Sequence, residues 1–140
     1  MKIFVLIWFL IDPQLLLGFW NLKFAEANFN IVNSPAFEAS TKVQQDEFLV
    51  VNELYLKNAY YEFKKDTVYW TDVNPRKKLV VLKKGKWNLV GDTLNIYDYE
   101  KVFAYKFLVS VRDNELNLII IFPDGSVSRS KNIYERKIEN

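Results

Sequence analysis

From residue 18 onward one signal recurs along the chain: apolar and polar side chains alternate with a period of two, in short runs broken by turn residues. That period belongs to strands with one face in a core. Trp20, Leu22 and Phe24 alternate with Phe19, Asn21 and Lys23, and the spacing predicts a first strand over 19–31 with an irregularity near 25–28. Asn33-Ser34-Pro35 is a loop signal. The next clear strand lies nearly thirty residues away, too long a gap for structureless chain in a small domain. A helix is expected to fill it. Thr41 with Gln44 has capping-box spacing, and Val43, Val50, Val51 and Leu54 fall on one side of a helix ending near Asn58, although the run Phe48 to Val51 also reads as a strand.

Beyond Ala59 the strands are short and closely spaced, as in an antiparallel meander. Tyr61 and Phe63, then Val68 and Trp70, alternate across the Lys65-Asp66 turn, and Asn74-Pro75 turns again. Residues 79–90 read as one strand bent at Gly85, since a glycine inside a strand marks a bulge where a sheet curves. Gly91-Asp92 leads to Leu94 and Ile96. The longest strict alternation is Phe103, Tyr105, Phe107, Val109 and Val111, which Asp113-Asn114 turns into Leu116, Leu118, Ile120 and Phe122. Pro123-Asp124-Gly125 forms a last hairpin, and the final strand ends near Ile138.

The total is eight strands in sequence order. Closing them into a cylinder removes both exposed edges, and eight strands leave an interior just wide enough for side chains or one small ligand. The expected fold is therefore mainly β: an eight-stranded antiparallel up-and-down barrel with one α-helix between the first two strands and a short helix at the base. Asp12-Pro13 before Gln14 to Leu17, with Gly18 after, has the cap, first-turn proline and terminal glycine of that short base helix. Tyr134 and Arg136 share a parity in the last strand. If the first and last strands are neighbours, the Arg136 guanidinium lies over the Trp20 indole at one end of the barrel, a contact of roughly 1 to 2 kcal/mol.

Before the barrel, Lys2 precedes nine apolar residues, 3–11. They are too few for a membrane-spanning helix, which needs about 20. They match the apolar core of an export signal without the small residues of a cleavage site; a misassigned start codon or an extra strand are the alternatives. Residues 1–17 are thus read as a possible export signal plus base-closing turn, and 18–140 as the barrel domain.

Composition removes whole classes of function. Half of the 140 residues are apolar and 16% are Phe, Trp or Tyr, which rules out disorder. The net charge of +2 leaves no electrostatic footprint for nucleic acid, and Arg76, Lys77, Lys78, Lys83, Lys84 and Lys86 read as a solvated hairpin. With no histidine and no cysteine there is no triad, thiol nucleophile or structural zinc site. Glu62, Asp72, Asp98 and Glu100 are the remaining acid–base candidates, and most of them fall on outward or turn positions, where solvated carboxylates are the rule. The expectation is a protein that is no enzyme, with no cofactor and no metal.

Gly18-Phe-Trp20 at the start of the first strand, paired with Arg136 late in the last, resembles the lipocalins. The run Gly85-Lys-Trp87-Asn-Leu89-Val-Gly91-Asp92-Thr-Leu94 is similar to the second half of small bacterial lipocalin-like domains, where Gly-x-Trp-x-Leu leads to Gly-Asp-x-Leu. The resemblance covers roughly residues 14 to 138. The chain departs from it in having neither the disulfide cysteines nor the Thr-Asp-Tyr turn of vertebrate members, which leaves ligand class open. It implies a monomeric, secreted or periplasmic bacterial protein that holds a small hydrophobic molecule in the barrel, without a stable membrane span.

The inward set is rich in aromatics. Tyr61, Phe63, Trp70, Phe103, Tyr105, Phe107 and Phe122 are the candidate ligand-binding residues, with Tyr61, Tyr105 and Tyr134 as candidate hydroxyls and Trp20 with Arg136 as the structural pair of the base. The same rings can instead fill the barrel, leaving an accessory domain that works through its surface. The outward aromatics Phe19, Tyr60 and Tyr69, rimmed by Lys64, are the candidate interaction patch.

Overall fold

The computed structural model describes residues 11–138. The expected export segment lies outside them except for Ile11, which packs against the core. A single turn of 3-10 helix, Pro13–Leu16, is capped by the Asp12 carboxylate, which accepts the Gln14 backbone N–H at 2.9 Å. It leads into β1, Gly18–Ala25. Three helices follow: α1, Glu26–Val32; α2, Pro35–Ala39; and α3, Lys42–Asn58. The remaining strands are β2, Tyr60–Phe63; β3, Thr67–Asn74; β4, Leu79–Val90; β5, Thr93–Asp98; β6, Ala104–Arg112; β7, Glu115–Ile121; and β8, Val127–Arg136.

These eight antiparallel strands close in sequence order, β8 pairing back onto β1 with Trp20 opposite Arg136. No sheet edge is left open among the described residues. Gly18, Phe63 and Arg136 therefore lie at one end of the cylinder, the base, while Ala25, Asn74 and Ile121 reach the other end, the mouth. The core fills the base half with Leu16, Trp20, Phe63, Val68, Trp87, Leu94, Leu116 and Tyr134. Trp20 Nε1 donates to the Leu16 carbonyl at 2.8 Å, so the base helix is tied to the first strand by the side chain it covers.

The connection between β1 and β2 differs from the single expected helix. β1 stops at Ala25, and 26–31 is helical where a strand was expected. Pairing with β8 shifts register between Leu22 and Phe24, which turns Phe24 off the inner face to pack, tilted, against Phe29 of α1 with centroids 5.7 Å apart. Ser34 does more than mark a loop: its hydroxyl accepts the Phe37 N–H and Pro35 opens α2. Thr41 and Gln44 form the reciprocal capping box of α3, and 48–51 is helix. At the starts of α2 and α3 a freed backbone donor is satisfied by the side chain that sits there, whereas α1 begins after Ala25 with no side-chain cap.

Gly85 also has a different role from a bulge. Register runs unbroken through it as β4 passes from pairing with β3 to pairing with β5. A Cβ at this position would lie 2.9 Å from the Tyr97 carbonyl carbon and closer still to its oxygen, so glycine is required by the approach of β5.

Candidate functional site

Three of the connections that cross the mouth contribute to a site there. α3 ends against it: the Asn58 carbonyl accepts the Thr71 hydroxyl at 3.1 Å, and the Ala59 carbonyl accepts the Leu22 N–H at 3.0 Å. This anchors the last turn of α3 so that Tyr55 reaches the barrel interior, where its hydroxyl accepts from Asn132 Nδ2 of β8 at 3.3 Å. Beneath it lies a cavity of about 170 Å³ bounded by Tyr55, Tyr61, Trp70, Asp72, Tyr105 and Phe107, with Thr71 and Ile96 completing the wall. A second space, a cleft of about 440 Å³, opens between the mouth ends of β6 and β7 and is lined by Phe103, Tyr105, Phe107, Ile120, Phe122 and their neighbours.

The sequence-derived candidates divide between these spaces. Tyr61 and Trp70 border the cavity; Phe103 and Phe122 border the cleft; Tyr105 and Phe107 form a wall common to both. Phe63 stands apart in the base-half core, edge-on to Trp87 at 5.2 Å. Phe103 and Phe122 are not inward strand residues as the alternation predicted. β6 begins at Ala104 and β7 ends at Ile121, so both rings stand at the rim, 59% and 44% exposed. Tyr134 is buried against Tyr61, ring centroids 5.2 Å apart.

Burial governs the acid–base behaviour of this tyrosine group. It raises the pKa of Tyr55, Tyr61 and Tyr134, the charged phenolate being disfavoured away from water. Tyr61 borders the cavity and keeps some accessible surface, yet its hydroxyl sits deep among protein atoms, and the neighbouring Tyr55 and Asp72 push the shift further. All three are neutral hydrogen-bonding groups at physiological pH.

Two charged side chains point inward, against the solvated positions expected for them. Lys83 was expected in a solvated hairpin and Asp98 at a solvated turn. Instead the Lys83 ammonium lies 3.2 Å from Asp98 Oδ2, whose side chain is fully buried, and 2.7 Å from Glu100 Oε2 at the surface. Asp98 Oδ1 accepts the Glu100 N–H at 2.9 Å. Hydrogen bonding to Glu100, against the cost of burial, raises the Lys83 pKa and keeps it charged. The signal was present: Lys83 has the parity of Gly85 and Trp87, and Asp98 that of Leu94 and Ile96. Arg76, Lys77, Lys78, Lys84 and Lys86 are exposed.

Of the other carboxylates, Glu62 faces outward 3.9 Å from Lys64, and Asp72 borders the cavity. The outward aromatics are covered by cations and by each other. Phe19 stacks on Tyr60 at 4.6 Å beneath the Lys137 ammonium, and Tyr69 lies under Lys64 and Lys84, each 5.5 Å from its centroid.

No family model and no curated protein matches the sequence. Among solved structures, two point mutants of the fluorescent protein UnaG are similar at 14% identity, each covering 91% of this chain and 100% of its own, with TM-scores of 0.45 and 0.43. No helix among the described residues is long and apolar enough to cross a membrane.

Proposed function

We propose that this protein is a lipocalin-like binding protein that holds a small hydrophobic molecule at the barrel mouth, in the cleft walled by Tyr105 and Phe107 and rimmed by Phe103, Ile120 and Phe122. The observation that carries this reading is the rim itself: three large apolar side chains stand 44 to 59% exposed around one concave, largely apolar surface. The cleft volume of about 440 Å³ falls within the range of small-molecule sites, roughly 300 to 1,000 Å³. Binding would be partition from water, each buried CH2 contributing on the order of 0.8 kcal/mol, without chemistry at the ligand. In support of a non-catalytic role, the one carboxylate with a fully buried side chain among the described residues, Asp98, is engaged by Lys83.

A polarity-sensitive fluorescent fatty acid titrated into the folded protein tests this. We expect a saturable rise in emission that the double substitution Phe103→Ser, Phe122→Ser weakens about tenfold. A folded monomer giving no saturable signal would favour the filled barrel.

A second reading, an accessory domain that docks through its surface, is supported by the β3–β4 hairpin, where Leu79, Val80, Val81 and Leu82 are exposed in succession. Sedimentation that becomes independent of concentration on Leu82→Glu would favour it. The apolar run 3–11 behind Lys2 is the feature that favours export, secreted or periplasmic, tested by reading the mature N-terminus after bacterial expression.

A further inference from the structure

The cavity beneath α3 differs chemically from the cleft beside it. Its wall presents the rings of Tyr55, Tyr61, Trp70, Tyr105 and Phe107, and its one charged lining residue is Asp72. No lysine or arginine borders it among the described residues. Asp72 makes no ion pair there either. Asp72 is exposed at the lip of the space: its Oδ1 accepts the Val73 N–H at 2.8 Å, and the second oxygen has no side-chain donor among the described residues.

Aromatic faces carry a negative quadrupole and attract a cation within about 6 Å of their centroids, more strongly when water is excluded. An anion in the same place would meet aromatic side chains and a carboxylate, with no cation on the wall to offset them. The chain already uses part of this wall in that way, because the Lys101 ammonium stands 5.6 Å from the centroids of both Phe103 and Tyr105. The Asp72 charge also reaches inward far enough to help raise the pKa of Tyr55 and Tyr61.

We propose that the cavity is an aromatic cage for a small organic ammonium ion, with Asp72 as counter-charge and Tyr55, Tyr61, Trp70 and Tyr105 as its walls. At about 170 Å³ it is close to the roughly 150 Å³ engineered cavity that accepts benzene. That size suits a trimethylammonium group or one arylamine ring. The proposal goes beyond the apolar site of the cleft, with which the cage shares only Tyr105 and Phe107.

Calorimetric titration of the full chain with choline, and with its neutral isostere 3,3-dimethylbutan-1-ol, tests it. Choline is expected to saturate and to bind at least tenfold more tightly than the alcohol. Asp72→Asn should abolish that preference while leaving the thermal midpoint and fluorescent fatty acid binding at the cleft unchanged. Trp70→Leu should weaken choline severalfold; should that variant fail to fold, Tyr55→Leu, on the helix and outside the barrel wall, gives the same readout. Equal affinity for choline and alcohol, saturation by neither, or an Asp72→Asn variant that keeps the preference would each overturn the cage. Loss of fatty acid binding in the unsubstituted protein would count against the cleft alone.

Discussion

The guanidinium carbon of Arg136 lies 4.3 Å from the ring centroid of Trp20, and its two terminal nitrogens donate to the carbonyls of Leu17 and Leu15 at 2.8 Å each. One side chain from the last strand thus holds the first strand's indole and the base helix together, using the planar fork that only arginine supplies. Gly18 is part of the arrangement: at φ +119° it takes a conformation that side chains rarely adopt, and a Cβ there would press on Arg136 at 3.0 Å.

Arg136→Ala should lower stability by about 2 to 4 kcal/mol, the sum of a lost cation–π contact and unpaired carbonyls. Arg136→Lys should recover only part, since an ammonium cannot reach both carbonyls while lying over the indole. Urea denaturation midpoints check both, and a lysine variant as stable as the parent would show that charge alone matters.

Gly85→Ala places a methyl group against the Tyr97 backbone, which cannot move without breaking the β4–β5 ladder. We expect a loss of about 1 to 3 kcal/mol by the same measurement, together with faster hydrogen exchange at the amides of 96–98.

The Lys83–Asp98 pair predicts an asymmetry. Lys83→Met strands the fully buried Asp98 charge and should cost about 3 to 5 kcal/mol. Asp98→Asn should cost less, because Lys83 keeps Glu100 at 2.7 Å. Replacing both by Leu should restore most of the loss. A double-mutant cycle with no coupling would show the pair to be incidental.

Tyr55, Tyr61 and Tyr134 make the fold sensitive to alkali. Each has a folded pKa above its unfolded value near 10, so the folded state holds its proton more tightly. Their contribution is complete below pH 10 and is lost as pH rises from there toward the folded values, at up to about 1.4 kcal/mol per pH unit for each. Phenolate absorbance at rising pH should therefore show fewer than the chain's eight tyrosines ionising before unfolding, and the rest appearing with it. Eight independent titrations from a folded protein would contradict the buried network.

The period-two alternation determined most of the barrel, because side-chain direction in a strand follows from local geometry. Strand count, order and turns followed from it, as did the inward parity of Trp20, Trp70, Trp87 and Tyr134. Local chemistry likewise marked the caps at Asp12 and Thr41. What the alternation could not carry was depth along the barrel axis. Phe63 and Phe103 have the same inward parity, yet one is sealed in the core and the other stands at the rim, since burial depends on where neighbouring strands end. The register shift at 22–24 and the turn of the chain into α1 depended on pairing with β8, contacts more than a hundred residues apart in sequence. Lys83 met Asp98 only when β4 paired with β5, and Tyr55 entered the interior only when β8 came beside β1. The volumes of the cleft and cavity belong to that closure too: a free space is the difference between an enclosure and the side chains filling it, and no run of neighbouring residues contains that difference.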